Sequence, residues 1–369
     1  MSKMKILQLT NLSDIGGAEK MVLNLVTHID RAKFDVAVAS LDGRGALAQR
    51  VRSLGLSYID LQVRHPFRFL RTAPWLLREN RFALIQTHGA RAEFVGAWLA
   101  KMAGVGHVIS TIHDVYGMEH RCKALLTRAT AHRIKRWVAV TPVIKEMALS
   151  QFHLPGKSIT LIENGIPFND SERAGNVEDI RQTYQIPEQV SIILSVANLR
   201  PIKGHQHILR AIKLFDVETR RKLKFMFVGD DQSHGVYQRM ARELGVADQV
   251  IFVGFVDDVR PFLAAADIFL LTSESEGLPL SLLEAMAARL PVVASRVGGI
   301  PFAVRHNDSG LLIPPGSPES IHQSILELVT NRRLCEKIAL NAQQTAMSRF
   351  SVARMVKDYE AIYESIHNT

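Results

Sequence analysis

The stretch Ser273-Glu-Ser-Glu-Gly-Leu-Pro-Leu-Ser-Leu-Leu-Glu-Ala-Met-Ala287 decides how the chain is read. It follows the apolar run Ile268–Thr272, which reads as a strand, and it opens a helical pattern near Leu280. Between the two, Gly277 and Pro279 predict a tight turn. The first amides of such a helix lack intrahelical acceptors, and the helix dipole adds partial positive charge there. That geometry suits a phosphate at the carboxyl edge of a sheet. Glu276 precedes the turn, and Glu284 lies one turn inside the helix. Carboxylates are unfavourable beside phosphate, so this pair points to hydroxyl groups, as on a ribose or a sugar. The same residues also fit an ordinary βα loop whose acids cap a helix.

Working outward, the same strand–helix alternation fills the chain. Strand-like runs are Lys5–Leu9, Phe34–Ser40, Phe82–Thr87, His107–Ile112, Trp137–Thr141 and Ser158–Ile162. A second series is Ser191–Ala197, Lys224–Val228, Val250–Val253, Ile268–Thr272, Val292–Ser295 and Leu311–Ile313. Many are nearly continuous in apolar residues, as parallel strands covered on both faces are. The alternation predicts right-handed βαβ units and two doubly wound α/β domains. The boundary falls in the polar, Pro- and Gly-containing segment Pro167–Val190. The last stretch, Ser351–Ile366, has apolar residues at helical spacing: Val352, Met355, Val356, Tyr359, Ile362, Tyr363 and Ile366.

With these motifs in place the chain resembles, over essentially its whole length, the retaining glycosyltransferases of GT-B fold, family 4 (glycosyl transferases group 1). Ser273–Ala287 resembles that family's Glu–seven-residue–Glu motif, and Leu290–Pro301 and Asn307–Pro314 continue in its style. The resemblance implies two Rossmann-like domains facing across a cleft. Residues 1–168 would bind the acceptor, residues 169–350 the nucleotide sugar, and helix 351–369 would pack back on the first domain. It implies that Glu276 bonds donor-sugar hydroxyls and that Glu284 holds the ribose. Backbone around Gly277, Leu278, Pro279 and Leu280 would face the sugar and diphosphate.

Ser195-Val-Ala-Asn-Leu-Arg-Pro-Ile-Lys-Gly-His205 resembles the family's Gly-Arg-Leu…Lys-Gly segment. The resemblance implies that Lys203 would neutralise the departing diphosphate, the kind of electrostatic contribution that is usually largest in catalysis. The family arginine is replaced by Asn198, with Arg200 nearby as a substitute. Gly229 resembles a family turn, and Phe255 lies in a segment that resembles the one reading the base. Asn11-Leu-Ser-Asp-Ile-Gly-Gly-Ala-Glu19 resembles the family's Gly-Gly loop. The resemblance implies that Gly16 and Gly17 approach donor phosphate, and Glu19 is a candidate on the acceptor side. Thr111-Ile-His-Asp114 resembles the family's histidine segment, which makes His113 a catalytic candidate with Lys203 and Glu276. His88, ending the preceding strand, is a candidate on the acceptor side.

Charge and composition bound the rest. Residues 1–170 hold 23 Lys/Arg against 13 Asp/Glu, whereas residues 171–369 hold 22 against 23. The basic excess therefore belongs to the first half. Arg64–Arg81 interleaves five Arg with Phe67, Phe69 and Trp75, and the segment 120–136 adds Arg121, Lys123 and Arg128 among others. Basic and aromatic residues together suit an anionic membrane surface; a solvated helix packed on the sheet is the alternative. Nucleic acid is not expected, because no recognised binding motif is present. The two cysteines, Cys122 and Cys335, form neither a disulfide framework nor a zinc pattern. No metal and no cofactor are expected. No apolar run reaches the ~18 residues that span a bilayer, so the protein is expected in the cytoplasm, peripheral on the inner face of the plasma membrane.

The expected function is transfer of a hexosyl unit from a nucleotide sugar, UDP first, to a saccharide or lipid-linked acceptor. The expected process is cell-surface polysaccharide or lipopolysaccharide synthesis. A nucleotide-sugar epimerase and a non-catalytic nucleotide-sugar-binding partner in polysaccharide assembly are the alternatives. A nicotinamide dehydrogenase is disfavoured, since the Gly-x-Gly-x-x-Gly fingerprint is absent.

Overall fold

The computed structural model describes residues 3–12, 14–43, 45–61, 63, 65–114, 127, 130–152, 154, 156–168 and 177–367. The basic residues Arg64, Arg121, Lys123 and Arg128, and the linker stretch 169–176, lie outside these. The chain divides into two units: Met1–Pro167 with Ser351–Thr369, and Phe168–Phe350.

The first unit is built on a seven-stranded sheet. Its strands are β1 (Met4–Thr10), β2 (Phe34–Ser40), β3 (Ser57–Tyr58), β4 (Leu84–His88), β5 (His107–Ile112), β6 (Arg136–Ala139) and β7 (Ile159–Leu161). They lie side by side as β3-β2-β1-β4-β5-β6-β7, and every pair is parallel. Sequence periodicity finds all but β3, a two-residue edge strand too short to carry a pattern. β1 and β2 are buried almost throughout, as strands with helices on both faces are.

The second unit carries β8 (Ser191–Val196), β9 (Leu223–Val228), β10 (Val250–Gly254), β11 (Ile268–Leu271), β12 (Val292–Ser295) and β13 (Leu311–Ile313). Their order is β10-β9-β8-β11-β12-β13, again all parallel. Ile193, Phe225, Phe227, Leu270 and Val293 on the strands pack with Ile208, Ile212, Ile321 and Ile325 on flanking helices.

Strand order locates the crevices. In a doubly wound sheet, neighbouring crossovers that go opposite ways leave a gap at the carboxyl ends of two strands. That switch lies between β1 and β4 in the first unit and between β8 and β11 in the second.

The helix Val352–His367 belongs to the first unit, and all seven apolar residues of its stripe are buried. It lies against the helix Gly17–His28. The Val352 amide donates to the Ile166 carbonyl at 2.9 Å, and Arg354 Nη2 meets Glu163 Oε2 at 3.1 Å. The turn Glu163–Ile166 thus anchors the returning chain.

Candidate active site

In the second unit the loops after β8 and β11 meet at the switch point. The first closes on the short helical turn Pro201–Lys203; the second runs into the helix Leu280–Ala287, with Pro279 at its N-cap. The Glu274 amide donates to the Ile202 carbonyl at 2.8 Å, tying the loops together. Lys203 Nζ lies 2.6 Å from Glu276 Oε1. Ser273 Oγ donates to the same oxygen at 2.6 Å. Glu276 is 8% exposed. A carboxylate so enclosed needs a cation and a hydroxyl close by, and it has both. Its backbone is held too: the Gly299 amide donates to the Glu276 carbonyl at 3.2 Å. Gly298 has φ +49°, and a Cβ there would stand 1.7 Å from the Glu276 carbonyl oxygen. No other residue fits this approach.

The remaining candidates of this unit arrange themselves around that pair. Leu278 and Leu280 bury their side chains, so only their backbone is available to a ligand. Gly277 is buried, and Glu284 is half-buried on the helix. Asn198, at the position of the family arginine, accepts through Oδ1 from the Asp230 amide at 3.1 Å and braces the loop after β9. Arg200 is exposed beside it. The Gly229 amide donates to the Gly254 carbonyl at 2.9 Å, and Phe255 follows Gly254 with half its surface exposed. All of these stand at carboxyl ends of strands. Sequence reading assigned no role to Ser273, and it missed His205, which is wholly buried against Phe227 and Tyr237. Burial, then nearby Lys203, lowers the His205 pKa to about 3, so the ring is neutral.

In the first unit the switch point is bridged. Asn11, after β1, accepts from the Ala92 amide through Oδ1 at 2.6 Å, at the start of the helix Ala90–Ala103. Gly89 has φ +93°, and its absent Cβ leaves the room that Asn11 fills. Gly16 and Gly17 begin the helix Gly17–His28. Glu19, the acceptor-side candidate of this loop, faces inward. It is 4% exposed, and its carboxylate turns back to accept the Gly16 amide at 3.2 Å, closing the glycine loop. Burial raises its pKa to about 7.

His88, the other acceptor-side candidate, is 2% exposed. Its Nδ1 lies 2.9 Å from Nε2 of His113, which is half-buried at the end of β5. The rings stand 5.2 Å apart at 31°. Burial holds the His113 pKa down at about 4 and that of His88 well below the ordinary range. Gln8, Gln86, Thr111, Tyr359 and Tyr363 surround the pair in one buried polar network that sequence reading did not find. The available signal was a Gln in the middle of two otherwise apolar strands. Among the described residues no cluster of three metal-ligating side chains exists, and no helix is long and apolar enough to cross a membrane.

Two all-parallel sheet units of Rossmann-like topology, with lysine, glutamate and histidine side chains at their carboxyl edges, are the architecture of a GT-B glycosyltransferase. Two family models match consecutive parts of the chain: "Glycosyltransferase Family 4" over residues 15–170 and "Glycosyl transferases group 1" over residues 176–345. The chain belongs to this family. N-acetyl-alpha-D-glucosaminyl L-malate synthase of Bacillus anthracis is 28% identical over 78% of this chain and 76% of its own length. UDP-Gal:alpha-D-GlcNAc-diphosphoundecaprenol alpha-1,3-galactosyltransferase of Escherichia coli is 22% identical over the same shares. Among solved structures, Anabaena Alr3699/HepE in complex with UDP-glucose superimposes with a TM-score of 0.86, at 22% identity over 98% of this chain and 100% of that one. WaaG, a glycosyltransferase involved in lipopolysaccharide biosynthesis, gives 0.78 at 20% identity, over 97% and 99%.

Proposed function

We propose that the protein is a retaining, metal-independent glycosyltransferase. It moves a hexosyl unit from a UDP-sugar to a saccharide or lipid-linked acceptor in cell-surface polysaccharide or lipopolysaccharide synthesis. The observation that carries this reading is the Lys203–Glu276 pair, 2.6 Å apart at the switch point of the second unit. In this reading the donor separates the pair. Lys203 turns to the diphosphate and, with the amides that open the helix Leu280–Ala287, offsets the charge of the departing nucleoside diphosphate. Glu276 is released to accept sugar hydroxyls, and Glu284 takes the ribose. His113 of the first unit meets the sugar, and the glycine loop Gly16–Gly17 meets the phosphate. The acceptor attacks on the face that the diphosphate leaves, so configuration is retained, and a leaving phosphate oxygen takes its proton. The UDP-Gal in the name of the E. coli relative and the UDP-glucose held by the Anabaena protein support UDP as the donor nucleotide.

The acceptor side rests on the basic first unit. On the helix Pro66–Asn80, Ala73 and Leu77 are buried and Phe69 stacks on Trp98. Phe67, Leu70 and Trp75 are exposed, Phe67 by 86%, beside the exposed Arg68. A shallow cavity of about 520 Å³ lies next to it, lined by Tyr58, Ile59, Asp60, Arg68, Thr72 and Leu76. An aromatic and cationic surface of this kind supports docking on an anionic membrane. Incubation with UDP-, GDP- and ADP-sugars and lipid-linked acceptors tests the reading. UDP-sugar turnover with retained anomeric configuration is the expected result. Thermal stabilisation by GDP or ADP but not UDP would overturn the base, and an inverted product would overturn the mechanism.

A further inference from the structure

We propose that His88 is a positioning residue that sets which nitrogen of His113 carries the proton, and that the C-terminal helix imposes this through Tyr363 and Gln8. The inference rests on the reading that His113 meets the donor sugar.

The chain of contacts begins at Gln86. Its Nε2 donates to Thr111 Oγ1 at 2.9 Å, so its carbonyl oxygen faces the other way. Tyr363 Oη donates to that oxygen. Gln8 Nε2 donates to Tyr363 Oη at 3.1 Å and approaches the Gln86 oxygen at 3.4 Å. Both hydrogens of the Gln8 amide are thereby used, and its Oε1 is left facing His88 Nε2 at 2.7 Å. A carbonyl oxygen can only accept, so His88 carries its proton on Nε2. The ring is buried and neutral, which leaves Nδ1 with a lone pair. His113 Nε2, 2.9 Å from that lone pair, must donate. His113 is then protonated on Nε2, and its Nδ1 is the ring's only acceptor. It can receive a hydroxyl proton, as from a sugar, but cannot donate one from that atom.

The relay spans the sheet. Gln8, Gln86 with His88, and Thr111 stand on the adjacent strands β1, β4 and β5, and Tyr363 comes from the returning helix. The opposite polarity, with both glutamines turned over, would place the proton on Nδ1 of each ring.

Long-range proton–nitrogen correlation spectra of protein labelled with ¹⁵N-histidine read this directly, with His88→Gln and His113→Gln assigning the two rings. The expected result is a bare Nδ1 on both. Protons on Nδ1 of both rings would overturn the relay. In Gln8→Leu each ring should show a mixture of the two tautomers, and UDP-sugar turnover should fall roughly tenfold, the effect of one hydrogen bond. Tyr363→Phe, which removes only a hydroxyl, should shift the tautomer balance in the same direction and serves if Gln8→Leu does not fold. Unchanged tautomers in both variants would also overturn the relay. Shifted tautomers with unchanged turnover would support the relay and overturn the role of His113 at the sugar.

Discussion

Glu93 should make the first unit lose stability as pH rises through neutrality. It lies on the helix Ala90–Ala103, only 4% exposed, where hydroxyls of Ser110 and Thr130 approach its carboxyl at 3.3–3.4 Å. Burial outweighs those hydroxyls and raises its pKa from 4.5 to about 7. A raised pKa means that the folded state holds the proton more tightly than the unfolded state. The contribution is therefore fully present below pH 4.5 and is lost as pH rises through 7. Linkage between these two values costs about 0.8 kcal/mol at pH 5 and about 3.4 kcal/mol at pH 8. Glu93→Gln keeps the shape and removes the titration, so the variant should gain about 2.5 kcal/mol on the wild type between those conditions. Trp75, Trp98 and Trp137, the protein's three tryptophans, all lie in the first unit. Urea unfolding followed by tryptophan fluorescence thus reports that unit alone, and the gain should appear as a midpoint shift of about 1 M. Glu19, also raised to about 7, contributes a slope of the same sign to both proteins and cancels in the comparison. If wild type and Glu93→Gln lost stability in parallel, Glu93 would already be ionised in the fold and the reasoning would fail.

Three further outcomes follow from the geometry. Lys203→Ala should lower kcat by about 10²–10³ on a UDP-sugar, the usual effect of removing one charge-stabilising donor; a change in KM alone would assign Lys203 to ground-state binding. Gly298→Ala should destabilise the second unit by at least ~2 kcal/mol, because its Cβ meets the Glu276 carbonyl; limited proteolysis of that unit, with loss of protection by UDP, is the measurement. Replacing Phe67 and Trp75 together by Ser should reduce sedimentation with anionic liposomes while leaving turnover of a soluble acceptor intact. Equal binding of the wild type to neutral and anionic liposomes at low salt would return the basic surface to ordinary solvation.

Much of the architecture was legible in the chain itself. Twelve apolar runs mark twelve of the thirteen strands found among the described residues, because a strand buried on both faces must be apolar along its length. The apolar stripe from Val352 to Ile366 marks a helix that buries that stripe. The glycine and glutamate loops also identify themselves, since a loop after a strand and before a helix has a known direction in a parallel sheet. Lys203 and Glu276 could each be named from sequence, but not their contact. They are 73 positions apart, and only the strand order brings the loops after β8 and β11 to one crevice.

Local sequence determined the elements and the chemistry available at their ends, because hydrophobic periodicity and turn residues act over a few positions. Tertiary structure alone decided where that chemistry points. Glu19 turns inward to close its own loop, Asn198 braces a neighbouring loop, and His88 passes a constraint from the last helix to His113. Each of these depends on a hydrogen-bond partner that is set by packing. A buried polar group takes whichever partner the fold leaves beside it, and leaving it unpaired costs more than any local preference supplies.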